Sequence, residues 1–123
     1  MAVKPASITR PAEGVLHVRW LALANGDTGE PVMLPHAPDK NIHFSGTFGA
    51  GGSVSLRGSS KLVPVVSTDP ILTAGEGGAN PITKTSEGME QTQENPLWVW
   101  PHVTAGDGTT SINAEMAVKG PTI

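Results

Sequence analysis

Between Lys40 and Gly58 the chain reads KNIHFSGTFGAGGSVSLRG, with apolar residues at every second position on both sides of a glycine-rich turn. Ile42, Phe44, Gly46 and Phe48 alternate with Asn41, His43, Ser45 and Thr47, the period of two that buries one side of a strand and wets the other. Val54 and Leu56 continue the buried side, while Ser53, Ser55 and Arg57 point outward. Ala50-Gly51-Gly52 supplies the positive φ of a reversal. The pattern predicts an antiparallel hairpin with a fixed register, because a slip of one residue would expose Phe44 and Leu56. The loop is no phosphate cradle: it has no Gly-Lys-Ser/Thr ending and opens onto no helix.

The same period organises most of the chain. In VLHVRWLAL, Leu16, Val18, Trp20 and Ala22 share one face and His17 and Arg19 the other, and Asn25-Gly26 then marks a turn. Val32–Leu34 lies between Pro31 and Pro35, which places it at a sheet edge. Leu62–Val66, interrupted by Pro64, reads as a further edge strand or bulge. Ile82–Ser86 and Met89–Gln93 read as short polar strands, and 69–81 as the longest irregular connection. Leu97–Val103 and Thr110–Val118 close the chain, the latter with Ile112, Ala114, Met116 and Val118 inward. No apolar run has helical spacing, and 123 residues hold one core. The expected architecture is therefore all-β: a single-domain antiparallel β-sandwich, jelly-roll-like, of seven or eight strands over residues 15–123. Residues 1–14, with two prolines and no periodicity, are expected to form an extended N-terminal arm that orders only on a partner.

Several function classes are excluded by what the chain lacks. It has no cysteine, which rules out disulfides, thiolate zinc sites and cysteine nucleophiles. Eight Lys and Arg against eleven Asp and Glu, scattered without a basic stripe, argue against nucleic acid as a partner. No apolar stretch approaches the roughly 20 residues of a membrane helix, and MAVKPASITRPAEG has no apolar region of the kind a signal peptide carries. The histidines at 17, 36, 43 and 102 are the side chains that titrate near neutrality; three fall on strands, yet no His-Glu-x-x-His or close pair points to a metal. Asp27 and Asp107 sit in glycine-rich turns where Asp bonds nearby backbone, without an EF-hand pattern. Glu76, Glu87, Glu90, Glu94 and Glu115 lie in polar segments and read as solvated, and there is no Gly-x-Ser-x-Gly elbow. These absences argue against an enzyme, and no cofactor or metal is expected.

One stretch points to binding. In LWVWPHV, Leu97, Val99 and Val103 form one apolar face, and Trp98, Trp100 and His102 form the other. Such a strand is either central and covered on both sides, for instance by the 69–81 connection, or it presents its tryptophans to a protein partner. Trp98, Trp100 and His102 are accordingly candidate interface residues, together with Phe48 at the hairpin loop and Arg10 and Pro11 in the arm. A thin core with polar edge strands also leads us to expect self-association as a dimer or trimer.

Residues 24–38, then Ser45-Gly46-Thr47-Phe48-Gly49 before a Val-containing strand, Glu94-Asn95 before the aromatic strand and AGDGTTS at 105–111 together resemble a known pattern. It is that of the small decoration (cement) proteins of tailed bacteriophages. The resemblance covers about two thirds of the chain; Ser60–Leu72 departs from it, being apolar and proline-containing where such relatives carry a polar turn. It implies a structural protein of the virion, made in the host cytoplasm, that sits on the outer surface of the capsid and ties neighbouring copies of the major capsid protein together. The alternatives are a carbohydrate- or receptor-binding sandwich of a virion appendage, with the tryptophans as sugar platforms, and a tail-associated structural protein.

Overall fold

The computed structural model describes residues 2–34, 39–73 and 80–120. His36, Glu76 and the 74–79 part of the 69–81 connection lie outside them. Among the described residues the structure is all-β: β1 Val3–Lys4, β2 Ser7–Ala12, β3 Val15–Leu23, β4 Thr28–Gly29, β5 Val32–Met33, β6 Asp39–Thr47, β7 Ser53–Ser59, β8 Thr83–Lys84, β9 Gly88–Gln91, β10 Trp98–Ala105 and β11 Ser111–Lys119. Seven of these have four residues or more, and the other four have two residues each.

The strands form a β-sandwich. One sheet runs β1-β4-β10-β7-β8, with β5 also paired to β10, and the other runs β2-β3-β11-β6-β9. All pairings are antiparallel except β1 with β4. Val18, Trp20, Ile42, Phe44, Val54, Leu56, Val99, Val103, Ile112, Met116 and Val118 meet between the sheets, each without solvent exposure. The alternation therefore identified the inward faces of β3, β6, β7, β10 and β11.

It did not identify neighbours. β6 and β7 are not a hairpin: β6 pairs with β9 and β11 in one sheet, β7 with β8 and β10 in the other, and the 48–52 turn arches across the core. The turn between β10 and β11 crosses in the same way. A one-sided apolar strand buries its face equally well against a partner across the sandwich as beside a neighbour in the sheet, so the period of two does not decide between them. The arch is closed by Asp107, whose carboxylate accepts the Ala50 N–H at 2.9 Å and the Thr109 N–H at 2.9 Å. Gly49, at φ 76°, lies against that carboxylate where a side chain would collide with it.

Two other expectations are corrected. The first fourteen residues do not stand apart from the sandwich: β1 adds to the edge of one sheet and β2 to the edge of the other. The segment is extended, as its prolines demand, but its backbone donors and acceptors find partners. Thr28 N–H donates to Ala2 O, Glu30 N–H to Lys4 O, and Ala2 N–H to the Asp27 carboxylate. Second, 62–66 is not a strand but an irregular segment with exposed aliphatic side chains.

Candidate functional site

The outer face of the β7–β10 sheet carries the aromatic constellation. Direct cross-strand pairs set Trp98 beside Ser59, Trp100 beside Arg57 and His102 beside Ser55, with Met33 flanking Trp98 on the other side. Over this face lies the 60–69 segment. Trp100 is fully buried and its Nε1–H donates to Val66 O at 2.9 Å, while half-buried Trp98 donates to Lys61 O at 3.1 Å. The tryptophan strand is thus covered on both sides, by the core on its inner face and by 60–69 on its outer face. Trp100 is enclosed within the chain and offers no exposed sugar platform.

Polar groups under the segment are matched in series. Arg57 donates from Nε to His102 Nδ1 at 3.0 Å and from Nη1 to Asp69 O at 2.7 Å. Burial, and then the Arg57 charge, push the His102 imidazole below its ordinary value, consistent with a neutral ring accepting that bond. The Asp69 carboxylate accepts from Lys61 Nζ and from the Val65 N–H, each at 2.7 Å, and those bonds hold its pKa below the usual carboxylate value.

Beside this cover is a groove of about 510 Å³ lined by Gly58, Pro70, Ile71, Leu72 and Pro96, and also by Lys61 and Glu94. A side chain at Gly58 would meet Pro96 and Leu72 at 2.6 and 2.8 Å, so the bare glycine lets the groove floor close. Burial raises the Glu94 pKa, but the Thr73 hydroxyl at 2.6 Å and N–H at 2.8 Å outweigh it, and the carboxyl is held below its ordinary value. Leu62 and Val63 next to the groove are 85% and 78% exposed.

The remaining candidates do not converge on this face. Phe48 is half-buried against the core at the arch, the end of the sandwich opposite Trp98. Arg10 and Pro11 are exposed on the edge strand β2 of the other sheet. His17 and His43 share the outer face of that other sheet, in a concavity also lined by Met89 and Ala117, where His17 lies 3.3 Å from Glu115 and His43 2.9 Å from Glu87. His102 is on the opposite sheet, and among the described residues no three His, Asp or Glu side chains are grouped to hold a metal. Sequence reasoning missed Leu62 and Val63 as surface residues, because an apolar run reads as buried.

No family model and no curated protein matches the chain. In fold it is similar to the solved structure of the SPBc2 prophage-derived protein YomS, with 10% identity and a TM-score of 0.62 over 89% of this chain and 98% of that one. A Cellulomonas parahominis L-ribose isomerase structure aligns at 14% identity over 87% of this chain and 50% of that one, with a TM-score of 0.36 that bears on neither fold nor function. The sandwich is thus similar to one found in a prophage-derived protein.

Proposed function

We propose that the protein is a structural component of a tailed-phage virion that binds the outside of the icosahedral head and cements neighbouring major capsid subunits. The observation that carries this reading is the correspondence of nearly the whole chain with nearly the whole of a prophage-derived protein, which agrees with the resemblance at 24–59 and 94–116. The mechanism is linkage: a protein that binds the assembled shell and not free subunits stabilises the shell in proportion to RT ln(1 + [L]/Kd). A small cysteine-free sandwich with exposed aliphatic side chains on a fixed segment suits such additive binding. The test is co-sedimentation with intact shells and with unassembled capsid subunits. Binding to shells alone is expected; equal binding to both, or to neither, sinks the cement mechanism.

A further inference from the structure

We propose that His102 is a pH-sensitive latch on the 60–69 segment: its neutral ring anchors Arg57, Arg57 anchors the segment, and mild acid releases both. The first ground is the direction of the bond between the two side chains. Arg57 Nε donates to His102 Nδ1 at 3.0 Å, and a guanidinium only donates, so Nδ1 keeps its lone pair and the ring proton sits on Nε2. An imidazolium carries N–H groups on both nitrogens and has nothing left to accept with. Protonating the ring therefore sets two donors and two positive charges against each other. The release is transmitted by the same guanidinium, whose Nη1 donates to Asp69 O at 2.7 Å. Asp69 closes the end of the segment, its N–H donating to Val65 O at 3.0 Å and its carboxylate accepting the Val65 N–H at 2.7 Å.

The second ground is what surrounds the ring. Its direct partners across β10 are Ser55 on β7 and Thr28 on β4, both hydroxyls. Ser55 Oγ lies 3.0 Å from Thr83 Oγ1 on β8, and Thr28 Oγ1 is buried with no partner among the described residues. The carboxylates of the flanking segments are committed elsewhere: Asp69 to Lys61 Nζ and the Val65 N–H, and Asp27 to the Ala2 and Ala24 N–H groups, with Lys4 at 3.9 Å. Among the described residues, then, no carboxylate pairs with His102, whereas His17 and His43 each have one in Glu115 and Glu87. Burial, and then the Arg57 charge, hold the closed ring below its ordinary value of 6.5. The opened form regains that ordinary value and binds the proton that the closed form refuses. The segment is therefore held most firmly above about pH 6.5, and its hold weakens as pH falls from there towards the closed-form value. The latch works in the free chain, independent of shell binding.

Hydrogen exchange of the full chain between about pH 7.5 and about pH 5 tests the latch, read as protection relative to an unstructured peptide so that the intrinsic pH dependence cancels. Protection of the Trp100 Nε1–H, bonded to Val66 O, and of the Val65 N–H should fall with pH, by up to about tenfold per pH unit, the limit for one proton taken up on opening. It should also lie below that of the β11 amides at every pH, because the segment opens without the sandwich. His102→Asn offers Arg57 a side-chain oxygen that does not titrate, so its protection should be flat over the same range. Ring resonances of wild-type His102, followed alongside, should show the proton on Nε2 at neutral pH and titrate in step with the loss of protection; this measurement decides the matter even if the variant does not fold. Wild-type protection that stays flat overturns the proposal, as does a ring that titrates while Trp100 and Val65 stay protected. So does a loss as steep in His102→Asn as in the wild type, and so does protection equal to that of β11 throughout, which would mean that only global unfolding frees the ring.

Discussion

Lys40 lies wholly inside the sandwich, in phase with Ile42 and Phe44, and its ammonium donates to the side-chain oxygen of Asn95 in the turn before β10. The Thr92 N–H donates to Lys40 O at 3.0 Å, so one residue ties β6 to the 92–95 turn through both backbone and side chain. Burial lowers its pKa from 10.5 to about 8.

That shift makes stability rise with pH. Between about 8 and 10.5 the unfolded chain holds the Lys40 proton and the folded chain has lost it, so the unfolded state binds more protons and the unfolding free energy increases. The full gain is about 3 kcal/mol at 1.36 kcal/mol per unit. The chain has neither Tyr nor Cys to titrate in this window, and comparison with a Lys40→Met variant separates Lys40 from the other lysines. Urea unfolding at pH 7, 8, 9 and 10 should give a rising series for the wild type, and Lys40→Met should be more stable at pH 7 and flat across the window. A wild-type series that is flat or falls would remove the buried charge from the account.

Trp100 belongs to the fold. Its ring is fully buried and its Nε1–H is bonded to Val66 O, so Trp100→Ala should cost about 3–5 kcal/mol of unfolding free energy in the isolated chain. Trp98→Ala, from a half-buried position, should cost less and loosen the 60–69 segment locally. Equilibrium unfolding and amide exchange at Val65 and Asp69 separate the two. A Trp100→Ala chain that unfolds like the wild type would show that the cover does not depend on the indole.

How far the sequence reveals this fold depends on which physical question is asked. Alternation answers which side of a strand is buried, and β3 and β11 follow it closely. It breaks at Ala22, which has φ 57° and sits at a bulge where Ile112 pairs with Leu23 and Ala114 with Trp20. The extra residue turns Leu23 into the core and leaves Leu21 46% exposed. Nothing in VLHVRWLAL marks that insertion, because Ala is not a residue that favours positive φ. Sheet membership was hidden for a different reason: a glycine-rich turn serves an arch as well as a hairpin. Lys40 falls in phase with the inward face, but an ammonium there reads as the solvated start of the strand, and the exposure of Leu62 and Val63 depends on hydrogen bonds from residues about 35 positions away.

The N-terminal segment should contribute to domain stability. Asp27 is buried and accepts the Ala2 N–H at 2.9 Å and the Ala24 N–H at 3.0 Å, with Lys4 Nζ at 3.9 Å. Asp27→Ala removes the acceptor of two backbone donors and should cost about 2–3 kcal/mol. Deleting residues 2–6 should lower the thermal midpoint and speed amide exchange at Thr28 and Glu30, whose N–H groups donate to Ala2 O and Lys4 O. An unchanged midpoint after deletion would mean that the segment adds nothing to the free domain.

Asp107 sets the acid limit of the arch. Hydrogen bonds from the Thr109 hydroxyl, the Ala50 N–H and the Thr109 N–H, in that order, lower its pKa from 3.8 to about 2. The folded carboxyl thus binds its proton less readily than the unfolded one. Its stabilisation is complete above about pH 4 and is lost as pH falls through the interval from 3.8 to about 2. Asp107→Asn keeps the shape but loses the charge, so it should lower the thermal midpoint at pH 7 and make the midpoint less steep between pH 4 and 2. Thr110→Val tests the neighbouring link, because the Thr110 hydroxyl donates to Phe48 O at 2.8 Å and accepts the Asp107 N–H at 2.9 Å. It should lower the midpoint at every pH while leaving the acid slope in place. An Asp107→Asn chain whose acid slope matches the wild type would place the acid limit elsewhere, with Asp69 as the next carboxylate to substitute.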